Sequence, residues 1–427
     1  MNPPSHDKRS FNNPFLPLKH SNFRYYWIGM CISLIGTWMQ NVAQPWLAYT
    51  LTKSAFLLGL VGAIQFMPVL LFSLFAGVLV DKLSKKKILF FTQSASLVVT
   101  LILAILDFSG HIQFWHILVL AAALGLVNTF DMPARQSFVI QLVGKDDLMN
   151  AIALNSAMFN MSRIVGPAIA GLVIGYYGVG MCFLANSISF AAVVISLFFI
   201  HPLPMAARRL AANQHILTDI RDGLRYIYRR RILFDATLLM TIIGTFAMNN
   251  NVLIPVFSEV VLKHGSMGMG ILFSCSGIGA LIGAMLVAIT SKSGPNKLVI
   301  YAVPTIIGIF LILNSFTINF LLAGFYIAVT GIFFNLFSAT INSTMQLNTE
   351  NEFRGRVMSV YTLVFSGSTP IGNLYAGLAD DYIGARFGFA ACGIIVVILL
   401  IPMYLYKLRS RNRAGAEACK PERPSSG

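Results

Sequence analysis

Two long apolar runs meet at a short basic junction that reads Gly77-Val78-Leu79-Val80-Asp81-Lys82-Leu83-Ser84-Lys85-Lys86-Lys87. The runs on either side, Ala55–Val80 and Ile88–Phe108, each have the length of roughly 20 residues that an α-helix needs to cross a bilayer core. Their apolar residues are continuous rather than alternating, which favours helices over the strands of a membrane barrel. The junction therefore predicts a tight turn between two membrane-spanning helices.

The alternation of apolar runs with short polar stretches covers most of the 427-residue chain. Hydrophobic residues make up 56% of the sequence and charged residues 11%, whereas soluble domains carry about 25% charged residues. This composition excludes an ordinary soluble globular protein and predicts an all-α polytopic membrane protein with twelve transmembrane helices. The predicted spans are Tyr25–Tyr49, Ala55–Val80, Ile88–Phe108, Phe114–Ile140, Ala151–Gly175, Gly180–Ile200, Ile232–Val256, Gly268–Thr290, Leu298–Phe316, Phe320–Met345, Val357–Ala379 and Phe387–Tyr406.

The net charge of +15 is distributed unevenly between the predicted loops. An even number of spans puts both termini on one side, and that side also receives the junction lysines and the arginine-rich segment 201–231. The opposite side receives only Lys53, Lys263 and Arg386. Because lysine and arginine accumulate in cytoplasmic loops, we predict a plasma-membrane protein, in a bacterium the inner membrane, with both termini cytoplasmic. The basic excess is then topological, and we expect no nucleic-acid partner.

The sequence repeats weakly, which predicts two parallel halves. Asn41-Val42-Ala43-Gln44-Pro45 returns as Asn251-Val252-Leu253-Ile254-Pro255, and Ala170-Gly171-Leu172 returns at a similar offset as Ala376-Gly377-Leu378. We predict five segments: cytoplasmic tails at 1–24 and 407–427, six-helix bundles at 25–200 and 232–406, and a linker at 201–231. Within the linker, Thr218–Arg231 has the apolar and basic spacing of an amphipathic helix that lies on the inner membrane surface and joins the halves.

Several motifs resemble those of the major facilitator superfamily. The junction is similar to the loop signature Gly-x-x-x-Asp-(Arg/Lys), with Ser84 where the pattern has glycine, and Gly166-Pro167-Ala168-Ile169-Ala170-Gly171 is similar to an antiporter signature. Asp131-Met132-Pro133-Ala134-Arg135, Arg163-Ile164-Val165-Gly166-Pro167 and Arg354-Gly355-Arg356 resemble the exporter branch of transmembrane secretion effectors, which includes the enterobactin exporter and macrolide-efflux permeases.

This resemblance implies a secondary transporter that exports an amphipathic, siderophore- or drug-like small molecule by alternating access. The proton gradient would supply the energy, without a cofactor, and the partners would be the substrate, protons and membrane lipid, with no obligate protein partner. The sequence leaves two alternatives, an importer of a small metabolite and a non-transporting membrane sensor. We predict no enzymatic activity and no metal site, because the chain has no hydrolase, metalloprotease or phosphate-binding motif and its cysteines lack metal-ligand spacing.

Three ionisable residues fall well inside predicted spans, where charge is costly and usually functional. Asp131 and Arg135 are four residues apart, so they share a helix face and can pair. Arg163 lies near mid-membrane on the fifth span. Three interpretations remain open: Asp131 exchanges a proton under the influence of both arginines, the charges form a permanent pair that locks spans four and five together, or they contact an anionic substrate.

The remaining candidates are gating, packing and cavity residues. The resemblance implies that Asp81 meets the start of the eleventh span near Arg356 when the cytoplasmic side is closed, although the junction lysines could serve topology alone. Gly166, Pro167 and Gly171 would either bend the fifth span or let a neighbouring helix approach. The candidate gating residues are Gly77, Asp81, Lys82, Lys85, Lys86, Lys87 and Arg356, and the candidate cavity-lining residues are Thr37, Gln40, Asn41, Gln44, Asn249 and Asn250.

Overall fold

The structure, a computed structural model, describes residues 15–201, 216–290 and 295–418. These residues form helices and no strands. The helices are α1 (Ser21–Thr52), α2 (Ala55–Lys82), α3 (Lys85–Phe108), α4 (Phe114–Val143), α5 (Leu148–Tyr177), α6 (Val179–Phe199), α7 (Ile216–Arg229), α8 (Arg231–Phe246), α9 (Asn250–Val256), α10 (Gly265–Thr290), α11 (Lys297–Phe316), α12 (Phe320–Leu347), α13 (Asn351–Ile383) and α14 (Gly388–Ala418). A short 3-10 helix, Leu16–Lys19, precedes α1.

Ten helical stretches of the described residues are long and apolar enough to cross a membrane. They correspond to predicted spans two to ten and twelve. The predicted first and eleventh spans are α1 and α13, which have 32 and 33 residues and a more polar composition. Large apolar side chains point outward, as in Leu321, which is 81% exposed, and Phe91, which is 74% exposed. Such a surface is stable only against lipid, so the chain is an integral membrane protein.

The seventh predicted span is interrupted. α8 ends at Phe246, α9 begins at Asn250, and a π-helical turn, Phe257–Val261, continues α9. The break coincides with Asn249, Asn250 and Asn251, and asparagine side chains compete with the backbone for hydrogen bonds and disfavour helix interiors. The amphipathic linker helix begins and ends two residues earlier than predicted, at Ile216 and Arg229. The predicted terminal segments 1–14 and 419–427, and linker residues 202–215, lie outside the described residues.

The helices pack in two groups with the same pairing pattern. In the first group α2 packs on α4, α3 on α6 and α1 on α5; in the second α10 packs on α12, α11 on α14 and α8 on α13. The groups meet chiefly where α2 contacts α13 and α5 contacts α10. We call the end of the bundle with Ser21 and Lys82 the tail face, and the end with Thr52 and Ala55 the distal face. The recurrence of the pairings in the same order parallels the sequence repeat.

Candidate functional site

A carboxylate closes the distal face between the two groups. The Asp381 side chain, at the end of α13, accepts hydrogen bonds from the backbone N–H of Ala55 at 2.7 Å and of Phe56 at 3.0 Å, and from the Ser54 hydroxyl at 2.6 Å. The first N–H groups of a helix have no partner within the helix, and the helix dipole favours negative charge there. Asp381 therefore caps the N-terminus of α2 from the other group.

The backbones of α2 and α13 touch beside this cap. A Cβ atom on Gly377 would lie 2.4 Å from the Ala55 carbonyl oxygen and 2.8 Å from Phe56 Cα. A Cβ atom on Gly59 would lie 2.3 Å from the Asn373 carbonyl oxygen. Both distances are shorter than side chains tolerate, so the distal closure requires glycine at both positions.

The same two helices separate toward the tail face. Among the described residues, no atom lies within 4 Å of a Cβ placed on Gly77 or on Gly355. A cleft opens between them, lined by Ser73, Gly355, Met358, Ser359, Thr362 and Leu363. The bundle is thus closed at the distal face and open at the tail face.

The predicted gating residues occupy this open end without forming one cluster. Arg356 forms an ion pair with Asp222 of α7 at 3.5 Å. Lys86 Nζ donates a hydrogen bond to the Ile200 carbonyl at the end of α6, at 2.8 Å, whereas Lys82 and Lys87 are exposed. Lys85 donates to the Leu83 carbonyl at 3.2 Å. The side chain of Asp81 lies outside the described part of the structure, so its expected contact with the start of α13 stays a prediction.

The linker helix α7 is packed against the start of α13 as well as against α8. Tyr226 stacks on Phe353 with ring centroids 4.5 Å apart, and Arg230 pairs with Glu350. A Cβ atom on Gly223 would lie 2.9 Å from the Arg356 carbonyl oxygen. The linker therefore contacts the helix end at which the tail face would close.

Asp131 and Arg135 form the ion pair that their spacing predicts. Arg135 binds Asp131 Oδ2 through Nε, at 3.1 Å, and through Nη2. The other oxygen, Oδ1, accepts hydrogen bonds from the Thr92 hydroxyl and the Gln93 amide, both at 2.7 Å. Asp131 is 5% exposed. With both oxygens bonded, the carboxylate ties α4 to α3, and not to α5 as the locking interpretation predicted.

Arg163 lies apart from this network. Its guanidinium carbon is 5.8 Å from the centroid of the Trp38 ring on α1, within the range of a cation–π contact. The described residues provide it with no hydrogen-bond acceptor and no acidic partner. Its own backbone carbonyl packs against Gly277 of α10, at the contact between the two groups.

Three of the predicted cavity residues are buried in helix contacts instead. Gln40 and Gln44 are 5% and 3% exposed; Gln40 accepts from Asn186 of α6 at 2.5 Å, and Gln44 donates to Gln65 of α2 at 3.2 Å. Asn249 is 1% exposed and donates to the Thr245 carbonyl. Buried amides need hydrogen-bond partners, and neighbouring helices of the same group supply them to Gln40 and Gln44.

The other predicted cavity residues are partly exposed. Thr37 donates to the Ser33 carbonyl at 2.8 Å, and Asn250 donates to the Ser276 hydroxyl of α10 at 3.4 Å. Asn41 is half-buried.

The α5 signature residues serve close helix contacts. A Cβ atom on Gly166 would lie 2.5 Å from Trp38 Cβ, and one on Gly171 would lie 2.9 Å from the Ser266 carbonyl oxygen of α10. Pro167 lies inside α5, which continues uninterrupted from Leu148 to Tyr177.

Comparison with known proteins identifies the family. The family model of transmembrane secretion effectors matches residues 12–424. The chain belongs to this family. Over 89% of its length the effector is 27% identical to the staphyloferrin A transporter of Staphylococcus aureus, and the alignment covers 95% of that protein. It is 23% identical to macrolide efflux protein A of Streptococcus pyogenes, over 90% of this chain and 96% of the other. It is 24% identical to the multidrug efflux pump Tap of Mycolicibacterium fortuitum, over 89% and 94%.

Solved transporter structures share the fold of the effector. The nucleoside transporter NupG superimposes with a TM-score of 0.71 at 14% identity, over 92% of this chain and 99% of the other. A bacterial homologue of the human lysosomal transporter Spinster superimposes with a TM-score of 0.70 at 12% identity, over 91% and 97%. The major facilitator fold implied by the sequence motifs is confirmed, and the relatives are membrane transporters.

The sequence reasoning missed the distal carboxylates of the effector. Gly377-Leu378-Ala379-Asp380-Asp381 has the same Gly-x-x-x-Asp spacing as Gly77-Val78-Leu79-Val80-Asp81, a signal that was available in the sequence. Asp380 is 4% exposed, and neither of its oxygens has a hydrogen-bond partner among the described residues. The part of the chain that the structure describes contains no group of three or more potential metal ligands.

Proposed function

We propose that the effector exports an amphipathic small molecule by alternating access and that the structure represents its inward-open state. The observation that carries this proposal is the Asp381 cap at the distal face, combined with the cleft at the tail face. In this proposal α1 and α13 complete twelve crossings in two six-helix halves, at 25–200 and 232–406. The tail face, with both termini, is cytoplasmic, as the lysine and arginine distribution favours.

In this mechanism the two halves would rock between two states, and a different carboxylate cap would close the bundle in each state. α2 and α13 are antiparallel, so each helix ends where the other begins. Asp381 at the end of α13 caps the start of α2 in the inward-open state. Asp81 at the end of α2 would cap the start of α13 in the outward-open state, and the Arg356–Asp222 contact with the linker would rearrange. A carboxylate at a helix N-terminus contributes about 1 kcal/mol, which is small enough to make and break in each cycle.

Support for efflux and for the substrate class comes from the relatives, whose names specify a siderophore, macrolides and multiple drugs. We propose the proton gradient as the energy source and no cofactor. The saturated hydrogen bonding of Asp131 favours a locking role for this residue over proton exchange. Solved structures with this fold also include a nucleoside transporter, so the direction of transport needs a direct test.

The test is uptake into oriented membrane vesicles from cells that express the effector. We expect inverted vesicles to accumulate radiolabelled erythromycin or a siderophore when energised, and a protonophore to abolish the accumulation. Empty-vector vesicles are the control. Accumulation only in right-side-out vesicles would support the importer alternative, and binding without flux in either orientation would support the sensor.

A further inference from the structure

One face of α5 changes from exposed to buried at Arg163. Residues at intervals of three and four share a helix face, and the face that contains Arg163 also contains Ile152, Ser156, Phe159, Asn160, Pro167, Ala170 and Ile174. On the tail side of Arg163, Ile152 and Phe159 are 47% and 45% exposed. On the distal side, Ala170 and Ile174 are 0% and 8% exposed.

The exposed part of this face borders the opening between the two groups rather than lipid. Its distal part lies in the contact with α10, where a Cβ atom on Gly270 would be 2.5 Å from the Pro167 carbonyl oxygen. The tail part continues in the same direction, toward the second group, but its side chains Ile152 and Phe159 are exposed, as expected where the two groups separate. Two of its residues, Ser156 and Asn160, are polar. Arg163 is therefore at the inner end of the tail-face opening, where the two groups begin to separate.

The charge of Arg163 is not compensated by the described residues. Asp131 is bound to Arg135. Asp235, which is buried on α8, is bound to Arg231 at 3.0 Å and to Tyr301 at 2.9 Å. Asp380 and Asp381 lie at the distal end of α13. A guanidinium at membrane depth without an acidic partner attracts a planar anion, which it can bind through two parallel hydrogen bonds.

Aromatic rings accompany the cation. Trp38 lies beneath the guanidinium, and Phe159, one helical turn before Arg163, meets Trp38 edge to face with centroids 5.7 Å apart. These rings offer an apolar surface next to the positive charge. We propose that Arg163 and Trp38 form an anion-binding subsite of the transport cavity, and that the substrate of the effector carries a carboxylate or similar oxyanion on an aromatic or apolar body. This inference rests on the proposed transport function and specifies the class of its substrate.

The test compares two dyes with the same xanthene skeleton and opposite charge. Fluorescein is an aromatic anion and rhodamine 6G an aromatic cation; their binding to the purified full-length protein in detergent is followed by fluorescence anisotropy. We expect saturable fluorescein binding that weakens at least tenfold in Arg163→Gln, because a charge-assisted hydrogen bond is lost. Arg163→Lys should recover part of the affinity, since it keeps the charge but loses the planar fork.

Two controls make the outcome decisive. Lys53→Gln removes one positive charge at the distal face and should change fluorescein binding less than about twofold. Rhodamine 6G should bind Arg163→Gln at least as well as the native protein, which also shows that the variant is folded. Absence of saturable fluorescein binding to the native protein, an unchanged affinity in Arg163→Gln, or an equal loss of both dyes would overturn the subsite. Because binding is measured without a membrane, this result is independent of the vesicle experiment on transport direction.

Discussion

Asp381 Oδ1 accepts a hydrogen bond from the backbone N–H of Ala55 at 2.7 Å, although the two residues are 326 positions apart. The bond joins the end of α13 to the start of α2 and therefore crosses between the two helix groups. The presence of this hydrogen bond therefore indicates that the distal face is closed.

Removal of the cap should favour distal opening. In Asp381→Ala we expect the ratio of distally open to closed molecules to rise about fivefold, since a lost helix cap costs about 1 kcal/mol. The measurement is a distance distribution between spin labels at Leu51→Cys and Tyr382→Cys, in a background without the five native cysteines. Both positions are exposed at the distal face. Asp107→Ala is the control, because Asp107 contacts Gly180 within its own group, and it should leave the distribution unchanged.

Glycine-to-alanine substitutions in the two Gly-x-x-x-Asp motifs should have opposite effects on closure of the distal face. Gly377→Ala places a methyl group 2.4 Å from the Ala55 carbonyl oxygen, so we expect it to exclude the distally closed state. Gly77→Ala meets no described atom within 4 Å in this state, so it should keep the distal face closed and impede closure of the tail face instead. The same spin-label pair distinguishes these results. Identical shifts from both substitutions would contradict the proposed reciprocal caps.

Closure of the distal face should be favoured by acid. In the closed state Asp380 is buried without a hydrogen-bond donor, beside the acidic Asp381, and the titratable groups that face it are Tyr49 on α1 and Cys392 on α14. Burial of an unpaired charge is costly, so the closed state should contain the protonated carboxyl, whereas the open state hydrates the ionised form. Lower pH on the distal side should then increase the closed fraction.

The isosteric Asp380→Asn change provides the matched control for this pH effect. An uncharged amide should keep the distal face closed across the pH range, so the closed fraction should lose most of its pH dependence. If the native and Asp380→Asn proteins show the same pH dependence of the spin-label distances, Asp380 does not take up the proton.

Asp131 and Arg135 should behave as a structural pair. Removal of one partner from a buried ion pair leaves an uncompensated charge and costs about 3–5 kcal/mol. We expect Asp131→Asn to lower the melting temperature of the purified protein by about 5 °C or more. The double variant Asp131→Asn/Arg135→Gln removes both charges and should be more stable than the sum of the single effects predicts. Native stability of Asp131→Asn together with loss of proton-dependent transport would instead support proton exchange at Asp131.

The sequence alone determined the features that depend on local chemistry. Long apolar runs predicted the membrane helices because the bilayer thickness fixes the length of a span. The Asp131–Arg135 pair followed from a spacing of four residues, which brings two side chains together on any helix. The junction and α5 motifs indicated the family because they fall at fixed positions in its helix order.

The tertiary structure decided which partner each polar side chain binds. Gln40 was predicted to line the cavity because Thr37, Gln40 and Gln44 share one helix face, but Asn186, 146 positions away, binds it in a helix contact. Asp381 has the same sequence spacing to a glycine as Asp81, yet only the docking of α13 against α2 shows that it caps a helix. Arg163 gained its significance from the absence of an acidic partner among the described residues around it. Helical periodicity specifies the face on which a side chain lies, whereas its partner depends on which helix packs there, and that is set by contacts between residues far apart in the chain.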